Sequence, residues 1–225
     1  MKKSGSPIFA AVFFDMDGTL VDSEPLWLIS ERELMARFDY PWTQTNQAHC
    51  LGGPLDRVGE YMHTLAHGAE SGPYFTRELI SLMADKLRAG ADLMEGASDL
   101  MDLCVELEIP MALVSASPRI LVDAVLQNLE PHHFAISVSS NDVRRTKPDP
   151  EGYIKAAQFL DLPIDRCLVL EDSATGVLAA ESSGACVVAI PHLVPIAPRQ
   201  RVKTMTSLKE LDLHKLRDLY ASWHN

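Results

Sequence analysis

Short apolar runs alternate along this chain with longer stretches in which apolar residues recur every three or four positions. The runs are Phe9–Phe14, Met111–Val114, Ala135–Val138, Cys167–Leu170 and Cys186–Ile190. They are rich in β-branched and aromatic side chains with little internal alternation, which predicts strands buried on both faces and hence a parallel sheet. Ala97–Glu108, Arg119–Leu129, Glu151–Leu160 and Ala174–Ser183 read as the helices between them. Such alternation predicts a doubly wound α/β fold. From about Ser23 to Leu93 the rhythm changes, and no strand is predicted. Leu26–Phe38, Leu55–Ala66 and Arg77–Ala89 have helical spacing, while Asp39–Pro54 and Gly68–Pro73 are linkers rich in turn formers. The expected organisation is an α/β core of residues 1–22 and 94–225, interrupted after its first strand by a small helical insertion, residues 23–93. Ligands of α/β sheets bind beyond the carboxyl ends of the strands, so the insertion is expected to roof the site.

Composition narrows the function classes. With 225 residues, 47% hydrophobic and 23% charged, the chain can bury a sizeable core and has no fibrous or disordered signature. A formal net charge of -11 opposes binding to nucleic acid or anionic membranes, and no basic run interleaved with aromatics counters it. A phosphate site in so acidic a protein needs a local cation or a well-placed lysine. Cys50, Cys104, Cys167 and Cys186 are scattered, without zinc spacing. The last three sit in apolar stretches and read as buried thiols. The N-terminal run is too short for a signal peptide or membrane span and leads straight into acidic residues. A reducing cytoplasm is the expected compartment.

Chemistry-bearing residues gather at the predicted strand ends. After the first strand, Asp15 and Asp17 are two residues apart on an extended chain, which projects both carboxylates to one side. Gly18 then permits a sharp turn. The pair suits a division of labour, Asp15 attacking as an anion and Asp17 donating a proton to a leaving oxygen; a solvated acidic turn is the plainer alternative. After the second strand Ser115 is placed to hold a phosphoryl oxygen, although a serine there is more often a helix N-cap. In Thr146-Lys147-Pro148-Asp149-Pro150 two prolines orient a single lysine. The adjacent acids Glu171 and Asp172 end the fourth strand and suggest a Mg²⁺ ion, since such a pair is costly without a cation. Together the four patches supply nucleophile, acid, hydroxyl, cation and metal ligands.

DMDGTLVDS, the Ser115 patch, TKPDP and LEDSATGV resemble, in order and spacing, the four signature motifs of the haloacid dehalogenase-like superfamily. The likeness extends over the whole chain, and the insertion resembles that family's small helical cap. Within the family, LVSASP and DSEPLW resemble the phosphatase side of the branch containing β-phosphoglucomutase and the sugar- or hexitol-phosphate phosphatases. The resemblance implies a Mg²⁺-dependent phosphatase acting on a small phosphate ester, a sugar or polyol phosphate, and a monomer without nucleic-acid or membrane partners. It implies an aspartyl-phosphate on Asp15, with Asp17 as general acid and then base. Mg²⁺ would lie on Asp15, the Asp17 carbonyl and Asp172, with Glu171 in or beside that set. Ser115, Ala116 and Lys147 would bind the transferring phosphoryl group; in the insertion, Gly52 and Arg57 are candidates to face substrate.

Other chemistries on this scaffold fit less well. A dehalogenase needs neither Asp17 nor Asp172. A phosphonatase needs a Schiff-base lysine, and the insertion holds only Lys86, on a solvated helix face. A phosphomutase needs a second phosphate site. Here Leu51-Gly52-Gly53 lacks the basic residue beside the glycine, and Pro118 stands where the mutase pattern has lysine, with Arg57 or Arg119 as the substitutes on offer. A catalytically idle binding module would have lost Asp15 or Asp172. Trp27, His49, Tyr61 and His63 are further candidates to face substrate, with packing the plainer reading for Tyr61 and His63.

Overall fold

The computed structural model describes residues 8–50, 54–129, 131–192, 195–199 and 201–224. In chain order the elements are β1 (Ala11–Phe14), α1 (Glu24–Ala36), α2 (Gln44–Cys50), α3 (Leu55–Leu65), α4 (Gly72–Ala89), α5 (Ala97–Glu106), β2 (Met111–Val114) and α6 (Arg119–Asn128). They continue as β3 (Phe134–Val138), α7 (Glu151–Phe159), β4 (Cys167–Glu171), α8 (Ala174–Ser183), β5 (Cys186–Ala189), β6 (Val202–Thr204) and α9 (Leu213–His224). The strands form one sheet in the order β3-β2-β1-β4-β5-β6, every pairing parallel. This is the doubly wound α/β fold that the alternation predicts.

The all-parallel pairing fits the burial. Every residue of β1, β2, β4 and β5 is buried, so their continuous apolar runs have core on both faces. Phe13 and Phe14 point to opposite faces and are fully buried, each contributing about 2–3 kcal/mol. One expectation is corrected: β3 is an edge strand, and Ala135 is exposed rather than covered on both faces.

The chain divides into two compact units. One comprises Met1–Asp22, Leu93–Val122 and Pro131–Asn225, and the other Ser23–Asp92 and Asp123–Glu130. The second has its own apolar core, in which Leu34, Met35, Met62, Phe75 and Leu79 are buried and Trp27, Phe38 and Tyr74 pack at the margin. The stretch expected to be a linker after Asp39 contains α2, a polar helix whose start is fixed by Asn46 Oδ1 accepting from the Thr43 amide at 2.9 Å and the Thr43 hydroxyl at 2.7 Å.

A buried acid also lies in this unit. Glu31 Oε2 accepts from Trp42 Nε1 at 2.8 Å. Burial pushes the Glu31 carboxyl up from its ordinary 4.5 to about 7, against the lowering effect of the Trp42 bond and helped by the charge of Glu24. The folded chain therefore holds this proton more tightly than the unfolded one. The stabilisation is complete below about pH 4.5 and is lost as pH rises through about 7. Glu31→Gln keeps an acceptor for Trp42 without the charge. It is expected to be more stable than the native chain by roughly 1–3 kcal/mol near pH 8 and nearly equal to it below about pH 5. Urea denaturation at the two pH values checks this; a pH-independent difference would contradict it.

Among the described residues, no helix is long and apolar enough to cross a membrane.

Candidate active site

The site is built at the carboxyl ends of the central strands. Asp15 follows β1, and its amide donates to Leu170 O on β4 at 3.0 Å, which fixes the backbone between the two strands. The chain then turns sharply, with the Leu20 and Val21 amides donating to Met16 O and the Gly18 amide to Val21 O. Gly18 has φ of 80°, and a Cβ there would lie 2.5 Å from Asp172 Oδ2. Glycine is required on both counts. Asp17, half-buried in this turn, accepts from Ser117 Oγ at 2.8 Å, and the Ser117 amide donates to Ser115 Oγ at 2.9 Å. Ser115 is buried and Ala116 is exposed.

Lys147 lies between β3 and α7 in a loop held by several bonds. The Arg144 and Arg145 amides donate to Glu151 at 3.0 and 3.1 Å. Asp142 closes a capping box with Ser139 and pairs with Arg119, which holds the segment leaving β3. The Lys147–Pro148 peptide is cis. From this loop the Lys147 ammonium pairs with Asp15, donates to Glu171 Oε1 at 2.6 Å and donates to Val114 O at 2.9 Å. Three ammonium donors meet three acceptors.

The acids converge around it. One carboxylate oxygen from each of Asp15, Glu171 and Asp172 lies within 4.8 Å of the others. Burial raises Asp15 to about 8; Lys147 opposes this, while Glu171 and Asp17 add to it. Burial raises Asp172 to about 9, with further contributions from Asp15 and Glu171. Burial alone would pull Lys147 down, but Asp15 and Glu171 hold it well above its ordinary value, so the ammonium stays charged. One ammonium thus faces three carboxylates. Hard oxygen donors with uncompensated negative charge fit a divalent cation such as Mg²⁺.

Asp15, Asp17, Ser115, Lys147, Glu171 and Asp172 therefore gather on one sheet edge. Gly52 lies outside the described residues. Arg57 is exposed, and its Nη2 donates to His49 O and Cys50 O at 3.1 and 3.5 Å, the favourable place for a cation at the carboxyl end of α2. Tyr61 accepts from Asn46 Nδ2 at 3.0 Å with its ring 4.3 Å from that of His49, and His63 Nδ1 is 2.6 Å from Glu70 O. Lys86 is paired with Glu33 at 2.6 Å. Sequence reasoning missed Ser117, Ser173 and Tyr153, whose hydroxyls reach Asp17 and Glu171. Ser117 lies within the quoted SASP run, while Tyr153 sits on the apolar stripe of α7 and gives no polar signal.

The chain is 28% identical over 216 residues to hexitol phosphatase B of Escherichia coli K12, covering 94% of each protein. It is 29% identical over 178 residues to a phosphorylated carbohydrates phosphatase of Thermotoga maritima, covering 77% of this chain and 81% of that protein. In fold it is similar to a family IA, variant 3 hydrolase from Entamoeba histolytica, with TM-score 0.81 at 23% identity, covering 94% of this chain and 99% of the other. A family model for haloacid dehalogenase-like hydrolases matches residues 9–184, which contain all six gathered side chains. The chain belongs to the haloacid dehalogenase-like hydrolases.

Proposed function

We propose that this protein is a Mg²⁺-dependent phosphatase that hydrolyses a small phosphomonoester, a sugar or polyol phosphate, through a phosphorylated Asp15. The observation that carries the reading is the convergence of Asp15, Lys147 and Asp172, with Asp17 beside them on Ser117. The substrate class rests on the relatives' names, hexitol phosphatase B foremost.

In this mechanism Asp15 Oδ attacks phosphorus as the ester P–O bond breaks, and the leaving oxygen takes a proton from Asp17. Asp17 then removes a proton from water, which attacks the acyl phosphate at phosphorus, releases orthophosphate and restores Asp15. Ser115 and Lys147 hold the phosphoryl oxygens, and Lys147 offsets the charge of the incoming group. Asp15, Asp172 and the Asp17 carbonyl, with Glu171 in or beside the set, would hold a Mg²⁺ ion that supplies further positive charge against carboxylate–phosphate repulsion. We assign substrate selectivity to the helical insertion.

A phosphomutase would need cations for a second phosphate, and both arginines offered by the sequence have structural partners. Arg119 donates to Ser137 Oγ and O at 2.7 and 3.0 Å and pairs with Asp142, while Arg57 holds the end of α2. This supports hydrolysis over transfer. Buried thiols at all four cysteines fit the reducing cytoplasm.

Orthophosphate release from a panel of hexitol, hexose, nucleotide and glycolytic phosphates tests the reading. Hexitol or hexose phosphates are expected to be cleaved, with about 1,000-fold loss on chelation and recovery with Mg²⁺. No release from any ester would sink the proposal. Conversion of β-glucose 1-phosphate to glucose 6-phosphate with a bisphosphate activator would establish the mutase instead.

A further inference from the structure

The carboxylate of Glu171 is occupied in a way that its place beside Asp172 does not suggest. It ends β4 with 0% of its surface exposed. A carboxylate offers about four lone-pair directions, and four donors are present. Oε1 accepts from Lys147 Nζ at 2.6 Å and from Tyr153 OH at 2.7 Å. Oε2 accepts from Ser173 Oγ at 3.1 Å and from the Ser173 amide at 3.3 Å. A Cβ at Gly176 would collide with this carboxylate, so α8 approaches as closely as glycine allows. Asp172 is held more loosely: its carboxylate accepts from Thr19 Oγ1 across 3.5 Å.

Tyr153 contributes twice to this arrangement. Its hydroxyl reaches Glu171, and its ring lies beneath the Lys147 ammonium with Nζ 5.2 Å from the centroid. The side chain is buried on α7. Phenylalanine would fill the same space without the cost of burying a hydroxyl, so what distinguishes tyrosine here is the bond to Glu171.

We propose that Tyr153 is a positioning residue for Lys147, acting through Glu171, and that Glu171 anchors the ammonium rather than ligating the metal ion directly. This rests on the phosphatase reading. Tyr153 and Ser173 orient the carboxylate, the carboxylate fixes Nζ, and Nζ is thereby held against Asp15, where a transferring phosphoryl group must be met. The metal ion is left to Asp15, Asp172 and the Asp17 carbonyl.

Two measurements on the full chain test this. The first is Mn²⁺ affinity, read from the electron paramagnetic resonance signal of the free ion. Tyr153→Phe is expected to bind Mn²⁺ within about threefold of the native chain, Glu171→Gln about tenfold more weakly through the lost charge alone, and Asp172→Asn at least about 100-fold more weakly. The second is kcat/KM for an aryl phosphate. Tyr153→Phe is expected to lower it about 10–100-fold and to weaken inhibition by inorganic phosphate, yet to cost nothing further when Lys147 is already methionine. Loss of Mn²⁺ binding in Glu171→Gln as severe as in Asp172→Asn would overturn the assignment. So would full additivity of Tyr153→Phe and Lys147→Met, the pattern of a merely structural tyrosine. A native chain that cleaves no phosphate ester would sink the phosphatase reading, while the Mn²⁺ comparison would still decide the role of Glu171.

Discussion

Asp15→Asn is expected to lower kcat/KM by at least ~10⁴-fold while the protein stays folded, because the attacking oxygen is lost and little else changes. Asparagine has nearly the same shape, and its side-chain oxygen can still accept from Lys147. The native carboxylate is itself costly to hold: burial raises it to about 8 even with Lys147 bound against it. Removing that charge relieves the desolvation of Asp15 and its repulsion from Glu171 and Asp172, which offsets the lost ion pair. Thermal melting of the variant is therefore expected to match the native chain, beside an orthophosphate-release assay near background. Activity within about tenfold of native would assign the nucleophile elsewhere.

Lys147→Met should harm both function and stability. The methionine side chain has comparable length but no charge, so Asp15 and the fully buried Glu171 lose the cation that bridges them. Removing one partner of a buried pair leaves an uncompensated charge, which costs about 3 kcal/mol. The rate should fall about 10³-fold, because a fixed positive charge aimed at the transferring phosphoryl group is gone. Urea denaturation and kcat/KM measured on the same preparation check the two effects. A variant as stable as the native chain would mean that the three carboxylates are compensated in another way. The two substitutions differ in kind, since Asp15→Asn removes a costly charge and Lys147→Met strands two.

Much of this arrangement is legible in the amino-acid sequence, for identifiable reasons. Strands β1, β2, β4 and β5 are buried on both faces, and such strands must be continuously apolar, so their sequences announce them. The three-residue β6 is too short for any pattern, and α2 is polar, held by Thr43 and Asn46 rather than by an apolar stripe. Helix α9 buries Leu216, Leu219 and Tyr220, a readable period that lies beyond the last of the alternating apolar runs. Acids at strand ends are legible because parallel strands deliver their ends to one edge. What joins them is not. The Ser117–Asp17 bond spans 100 residues, and Lys147 reaches Asp15 across 132. No local pattern encodes such partners. Tyr153 is hidden for another reason: an aromatic on a helix stripe reads as core, and the hydroxyl that gives it a second role has no periodicity.

If phosphoryl transfer passes through the carboxylate of Asp15, the phosphorylated chain can be trapped. In an Asp17→Ala variant an aryl phosphate still leaves readily, because its leaving group needs no acid, while the second step lacks its base. The phosphorylated protein is then expected to accumulate. Acid quenching, borohydride reduction of the acyl phosphate and peptide mass mapping should find position 15 converted to homoserine. Release of the phenol with no covalent phosphate, or a label on another side chain such as Asp172, would place the nucleophile elsewhere.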